Sequence, residues 1–278
     1  MGTSTTNIGP NSKNPLVPTW LEGGGGGPEP GNNGQQQTDK PEKPQTQPKI
    51  KPESGRRFQH ARGKVNDYLR TGNTDSMKKG ISSYVKKSGG KKAAVTRMGS
   101  SPKAASNFVS FLSDVAQDGI QAVAKELNLS LKGNETADQL LLRVSDQICD
   151  VSTSNIPDAV VRCAYAETIV EMTTTLGVTN LETITSEQIK ASLGCFIGKS
   201  VTNRVINDIC NNLVAQKSSP ENLQSTLSEL GGYIEGRAHD VVANLPEENL
   251  AMTDEELVGG IEELYAEVFE ILASVEDE

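Results

Sequence analysis

The chain opens Met1-Gly2-Thr3-Ser4, and Gly2 is small enough for the initiator methionine to be removed, leaving a glycine α-amine. Such an amine has a pKa of about 7.7 to 8.0 against about 10.4 for lysine. Roughly one in ten is therefore neutral and nucleophilic at neutral pH, far more than any lysine. Gly2 is thus a candidate acceptor for an acyl group delivered by another enzyme. Met1 to Thr6 also fits the M-G-x-x-x-[ST] myristoylation pattern. A single acyl chain anchors only marginally, and Lys13 is the one nearby cation, so a different amine chemistry is preferred and no membrane association is expected.

The other reactive side chains form no catalytic set. Cys149, Cys163, Cys195 and Cys210 fall within apolar helical patterns and make no C-x-x-C pair, so they read as reduced core thiols of a cytoplasmic protein. His60 and His239 are the only histidines; neither has a Ser, Cys or Asp at a triad spacing, and both read as surface residues. The acids Glu255, Glu256, Glu262, Glu263, Glu267 and Glu270 lack a Glu-x-x-His partner and read as a solvated helix face. The expectation is a non-enzymatic chain that binds no cofactor or metal of its own.

Phosphate chemistry has one candidate. Lys86, Lys87, Lys91 and Lys92 flank Ser88-Gly89-Gly90, with Arg97 just beyond, and a basic loop with glycines can hold an anion. The frame G-x-x-x-x-G-K-[ST] is missing, which excludes a P-loop. These five residues are the candidate anion or nucleic-acid contacts. Phe58, Tyr68 and Tyr84 interleave the basic block; they suit base stacking and equally suit a helical core.

Charge divides the chain. Lys40 to Lys103 holds 17 basic and 4 acidic residues, whereas Ala104 to Glu278 holds 9 basic and 29 acidic ones, within an overall net charge of −9. The two segments should attract one another or serve different partners. No run approaches the roughly 18 apolar residues of a membrane span, and the start lacks the basic-then-apolar order of a signal peptide.

Residues 1–54 read as a disordered tail: the Gly23–Gly27 run is floppy, and Pro28 to Pro52 is extended. Pro15-Leu16-Val17-Pro18-Thr19-Trp20-Leu21 holds the only tryptophan, set outside any core, and reads as a recognition peptide. Residues 55–103 form a basic helical segment and 104–278 an acidic helical domain, with no alternating pattern for a sheet. The fold class is all-α. Thr136 with Gln139, Thr185 with Gln188 and Thr253 with Glu256 make capping boxes, Thr74 or Asp75 caps a helix after Gly72, and Ser101 caps one opened by Pro102. Gly194 or Gly198 is a place for the long helix after Thr185 to bend.

Met1-Gly2-Thr3-Ser4, Gly9-Pro10 and Pro15 to Leu21, followed by Tyr84-Val85-Lys86-Lys87-Ser88-Gly89-Gly90 and Thr96-Arg97-Met98-Gly99-Ser100, resemble the QatB family of the bacterial Qat anti-phage defence system. The similarity continues more loosely to about residue 245 and says little about 246–278. The resemblance implies an operon with an ATPase, a QueC-like enzyme and a TatD-like nuclease as partners. It implies that the QueC-like enzyme uses ATP to activate a carboxylated deazapurine and conjugates the resulting deazaguanine to Gly2, with Thr3 and Ser4 gripped next in its active site. Pro15, Leu16, Val17, Pro18, Trp20 and Leu21 are then expected to dock on that enzyme. The alternative is an unmodified scaffold bridging the ATPase and the nuclease, with the basic segment touching nucleic acid.

Overall fold

The computed structural model describes residues 56–133, 135–149, 156–210, 219–246 and 254–274. Helices follow one another as α1 (Gln59–Thr71), α2 (Thr74–Ser88), α3 (Lys91–Arg97), α4 (Ser101–Asp118), α5 (Ile120–Glu126), α6 (Ala137–Arg143), α7 (Ser145–Cys149), α8 (Ile156–Thr174), α9 (Ser186–Val205), α10 (Pro220–Ala243) and α11 (Asp254–Ala273). A 3₁₀ turn at Leu181–Thr183 precedes α9, and a π turn at Ile206–Cys210 continues it. No strand occurs among the described residues, so the fold is all-α as the periodicity predicts. The expected tail over residues 1–54, including Gly2 and the Pro15–Leu21 peptide, lies outside the described residues.

Short polar side chains set the helix starts by accepting from otherwise orphaned amides. The boxes at Thr136/Gln139 and Thr185/Gln188 form as predicted, and Ser219 Oγ accepts from the Asn222 amide ahead of Pro220. Two starts move by one residue. Asn73, not Thr74 or Asp75, caps α2, its Oδ1 accepting from the Asp75 amide at 2.9 Å. Ser101 is the first residue of α4, and its hydroxyl donates to the Met98 carbonyl at 2.9 Å instead of capping. The box at Thr253 falls on a residue outside those described. Gly72 and Gly89 end α1 and α2 at φ of 68° and 106°, a region that side chains strain to enter.

One apolar core runs through helices on both sides of residue 103. Phe108 of α4 stands at its centre, edge-on to Tyr165 of α8 with centroids 5.5 Å apart and tilted against Phe196 of α9 at 6.0 Å. Helix α11 packs across α2, α3 and α4, and α1 packs on α2 and α10. Polar groups tie the seams: Ser200 and Tyr265 share a hydrogen bond of 2.7 Å inside the core, and Ser82 Oγ donates to the Ala273 carbonyl at 2.8 Å. The acids Glu262, Glu263, Glu267 and Glu270 lie on the exposed face of α11.

The expected bend at Gly194 or Gly198 is replaced by close packing. Helix α9 runs unbroken, and the two glycines, four apart on one face, let α10 approach. A Cβ on Gly194 would lie 2.8 Å from His239 Nδ1, and one on Gly198 would lie 2.9 Å from the Cα of Glu235. Gly236 on α10 differs, since a Cβ there meets nothing within 4 Å. Opposite signs follow for the same substitution. Gly198→Ala should destabilise by about 1–3 kcal/mol because backbone must move, while Gly236→Ala should stabilise by about 0.5–1 kcal/mol through helix propensity. Urea unfolding of both variants checks this, and equal shifts would contradict it.

Candidate functional site

The π turn after α9 carries Asp208, and three donors converge on its Oδ2. Arg97 Nη2 lies at 2.7 Å, Tyr84 Oη at 2.9 Å and Arg204 Nε at 3.1 Å. The Asp208 carbonyl accepts from Arg62 Nη2 at 2.8 Å, so a cation of α1 meets the carbonyl end of the helical run. Arg97 also stacks over the Phe58 ring at 5.0 Å, and Phe58 packs on Tyr84 at 4.8 Å. Side-chain exposure is 11% at Arg97, 12% at Arg204 and 9% at Asp208, so solvent screens these charges little.

This cluster gathers Tyr84 and Arg97 of the sequence motifs around one carboxylate. Burial and the Asp208 charge push the Tyr84 phenol up to about 12, which keeps it a neutral donor. Asp208 Oδ2 accepts from all three donors. Mechanically, one carboxylate holds α2, α3 and the end of α9 together. Motif spacing marks Tyr84 and Arg97, whereas nothing in the sequence singles out Asp208, which lies 124 and 111 residues from them.

A second pair corrects the surface reading of His239. Its Nε2 lies 3.6 Å from the buried Cys195 Sγ, in the space Gly194 leaves open, and the ring is partly buried. A Cys–His contact can generate a thiolate nucleophile. Here burial, with the charge of Glu171 adding to it, raises Cys195 to about 11, so the sulfur stays a thiol near neutral pH. Burial likewise lifts Cys149 to about 11 and Cys210 to about 12. Cys163 departs from the expected core position and is exposed, and partial desolvation with Glu167 nearby raises its pKa as well. His60 is exposed, its Nδ1 3.0 Å from Ser83 Oγ.

The five predicted anion contacts separate. Arg97 is engaged at Asp208, and Lys91 pairs with Glu270 at 2.6 Å. Lys86, Lys87 and Lys92 are exposed. Phe58, Tyr68 and Tyr84 are buried, which resolves their open role in favour of the core. Gly2, Thr3, Ser4, Pro15, Leu16, Val17, Pro18, Trp20 and Leu21 lie outside the described residues. Among the described residues no group of three or more His, Cys, Asp or Glu could hold a metal ion, and no helix is long and apolar enough to cross a membrane.

Removing one partner of a buried ion cluster leaves the others uncompensated, at a cost of about 3–5 kcal/mol. Asp208→Ala should therefore lose about that much unfolding free energy, with Asp208→Asn falling between it and the parent because the amide oxygen still accepts from Tyr84. Denaturant unfolding followed by circular dichroism measures both. A loss below about 1 kcal/mol in Asp208→Ala would show that the cluster is not a tie.

The family model described as Qat anti-phage system associated protein QatB matches residues 89–272, about two-thirds of the chain. No curated protein and no solved structure matches the chain. The match takes in Arg97, Cys195, Asp208 and His239 and extends to Leu272, so most of the acidic last helix, about which the resemblance says little, falls within the family. Residues 1–88, with the M-G-T-S and P-L-V-P-T-W-L motifs, lie outside the matched range. With most of its helical body inside that range, the chain belongs to the QatB family of proteins associated with the Qat anti-phage system.

Proposed function

We propose that this defence-system component is a protein substrate: after loss of Met1, the Gly2 amine accepts a 7-deazaguanine from a QueC-like partner enzyme. In that step the Gly2 nitrogen bonds to the ATP-activated carboxyl carbon of the deazapurine. The activating group leaves, the nitrogen gives up a proton, and an amide results. Deazapurine and ATP belong to the partner, and the helical body contributes shape and anchoring.

The observation that carries this reading is a contrast in nucleophiles. All four thiols of the helical body have pKa values raised above the usual thiol range, three of them by burial to about 11 or 12. The α-amine of an N-terminal glycine sits near 7.7–8.0 by its own chemistry. Acylation near neutral pH would therefore favour the chain's tip over these thiols. Membership of an anti-phage family supports the setting. The Pro15–Leu21 peptide supplies apolar anchors, Trp20 among them, of the kind that docking sites use.

Co-expression with an active QueC-like partner should give an intact mass showing loss of Met1 and a deazaguanine-sized gain. Gly2→Pro, which makes the acceptor a hindered secondary amine, should lack the gain. Deleting residues 1–21 should abolish defence while leaving helicity unchanged. Defence that survives this deletion would favour the unmodified scaffold between ATPase and nuclease, and an unmodified parent mass would refute the conjugation.

A further inference from the structure

Between the start of α1 and the end of α2 lies a groove of about 630 Å³ whose walls are cationic. Arg56, Arg57, His60, Lys64 and Lys87 surround it; Asp67 is the one acid on its rim and pairs with Arg70 at 3.3 Å. Arg57 is fixed there, donating from Nε to the Lys87 carbonyl at 3.0 Å and from Nη2 to the Ser88 carbonyl at 2.9 Å. These bonds hold the first turn of the described chain against the end of α2 and set the groove's width.

Elsewhere in this acidic protein, cations such as Lys91, Arg97, Lys199 and Arg204 meet carboxylates. Among the described residues, Arg56, Lys64 and Lys87 do not. Like charges gathered this way repel one another, and the carbonyl end of α2 offsets that repulsion only at Arg57 and Lys87. Gly63 also lines the groove, and a Cβ there would meet nothing within 4 Å.

The groove has cations and no apolar anchor: no aliphatic side chain lines it, and its one aromatic ring is the polar imidazole of His60. A peptide ligand gains most of its affinity from apolar or aromatic anchors in pockets, whereas a phosphodiester backbone needs only cations and close approach. Phe58, Tyr68 and Tyr84 are buried and offer no platform for base stacking. We infer that this groove binds the sugar–phosphate backbone of nucleic acid without reading its sequence. The contact is independent of Gly2 and would hold whether or not that amine is modified.

Fluorescence anisotropy of a labelled short DNA duplex with the full chain tests this. Three neutralised phosphates predict a slope of about −2.7 in log affinity against log salt, or about 40-fold weaker binding between roughly 50 and 200 mM. Lys64→Gln with Lys87→Gln should reduce the slope by about 2 and weaken low-salt binding at least about tenfold, with unchanged helicity and Tm. Lys125→Glu, a control on the exposed face of α5, should leave binding intact. Absence of binding at low salt would overturn the inference. So would equal binding by the double variant, or competition by polyglutamate as effective as that by unlabelled duplex, which would assign the groove to an acidic protein.

Discussion

A single buried carboxylate has to be neutralised, and the arrangement of the N-terminal helices follows from that requirement. Asp208 sits at 9% exposure between two guanidinium groups, a phenol and, through its carbonyl, a third arginine. Desolvating these charges is costly, so the cluster stands only while every member is in place. That condition draws α1, α2 and α3 onto the end of α9. The attraction expected between the basic and acidic halves of the chain thus has a definite locus, with Lys91–Glu270 as a second and more exposed tie.

Close helix packing supplies the other constraint. Gly194 and Gly198 bring α10 against α9 so tightly that the space above Gly194 is filled by the His239 ring. That ring lies against Cys195, yet the low-dielectric interior that creates the contact also keeps the thiol protonated. Geometry that could suggest a nucleophile is cancelled by its surroundings. A body whose polar clusters are internal ties suits a component whose reactive group is carried elsewhere on the chain.

The local signals were legible because they depend on neighbours in sequence. Thr136/Gln139 and Thr185/Gln188 announce helix starts, and Pro102 and Pro220 stand near helix beginnings where a missing amide costs nothing. The π turn was not legible, since Val201, Val205 and Ile209 keep the four-residue spacing of an ordinary α-helix. Nor was Cys195–His239, whose members lie 44 residues apart. Among the candidate anion contacts, sequence identifies Arg97 and Lys91 as cations but cannot show that Asp208 and Glu270 already claim them. Arg56 and Lys64 carried no motif and became notable only when α1 folded back beside Lys87. The tip, by contrast, is read from the chemistry of an α-amine and from the motif that follows it.

Under the proposed function the chain divides its labour between a reactive tip and a helical body. Tandem mass spectrometry of the N-terminal peptide, from protein made in cells carrying the whole operon, tests it most directly. The account predicts that the smallest N-terminal fragment ion, containing Gly2 alone, carries the full deazaguanine mass. The same added mass found on a lysine or cysteine of the helical body, with Gly2 bare, would contradict it.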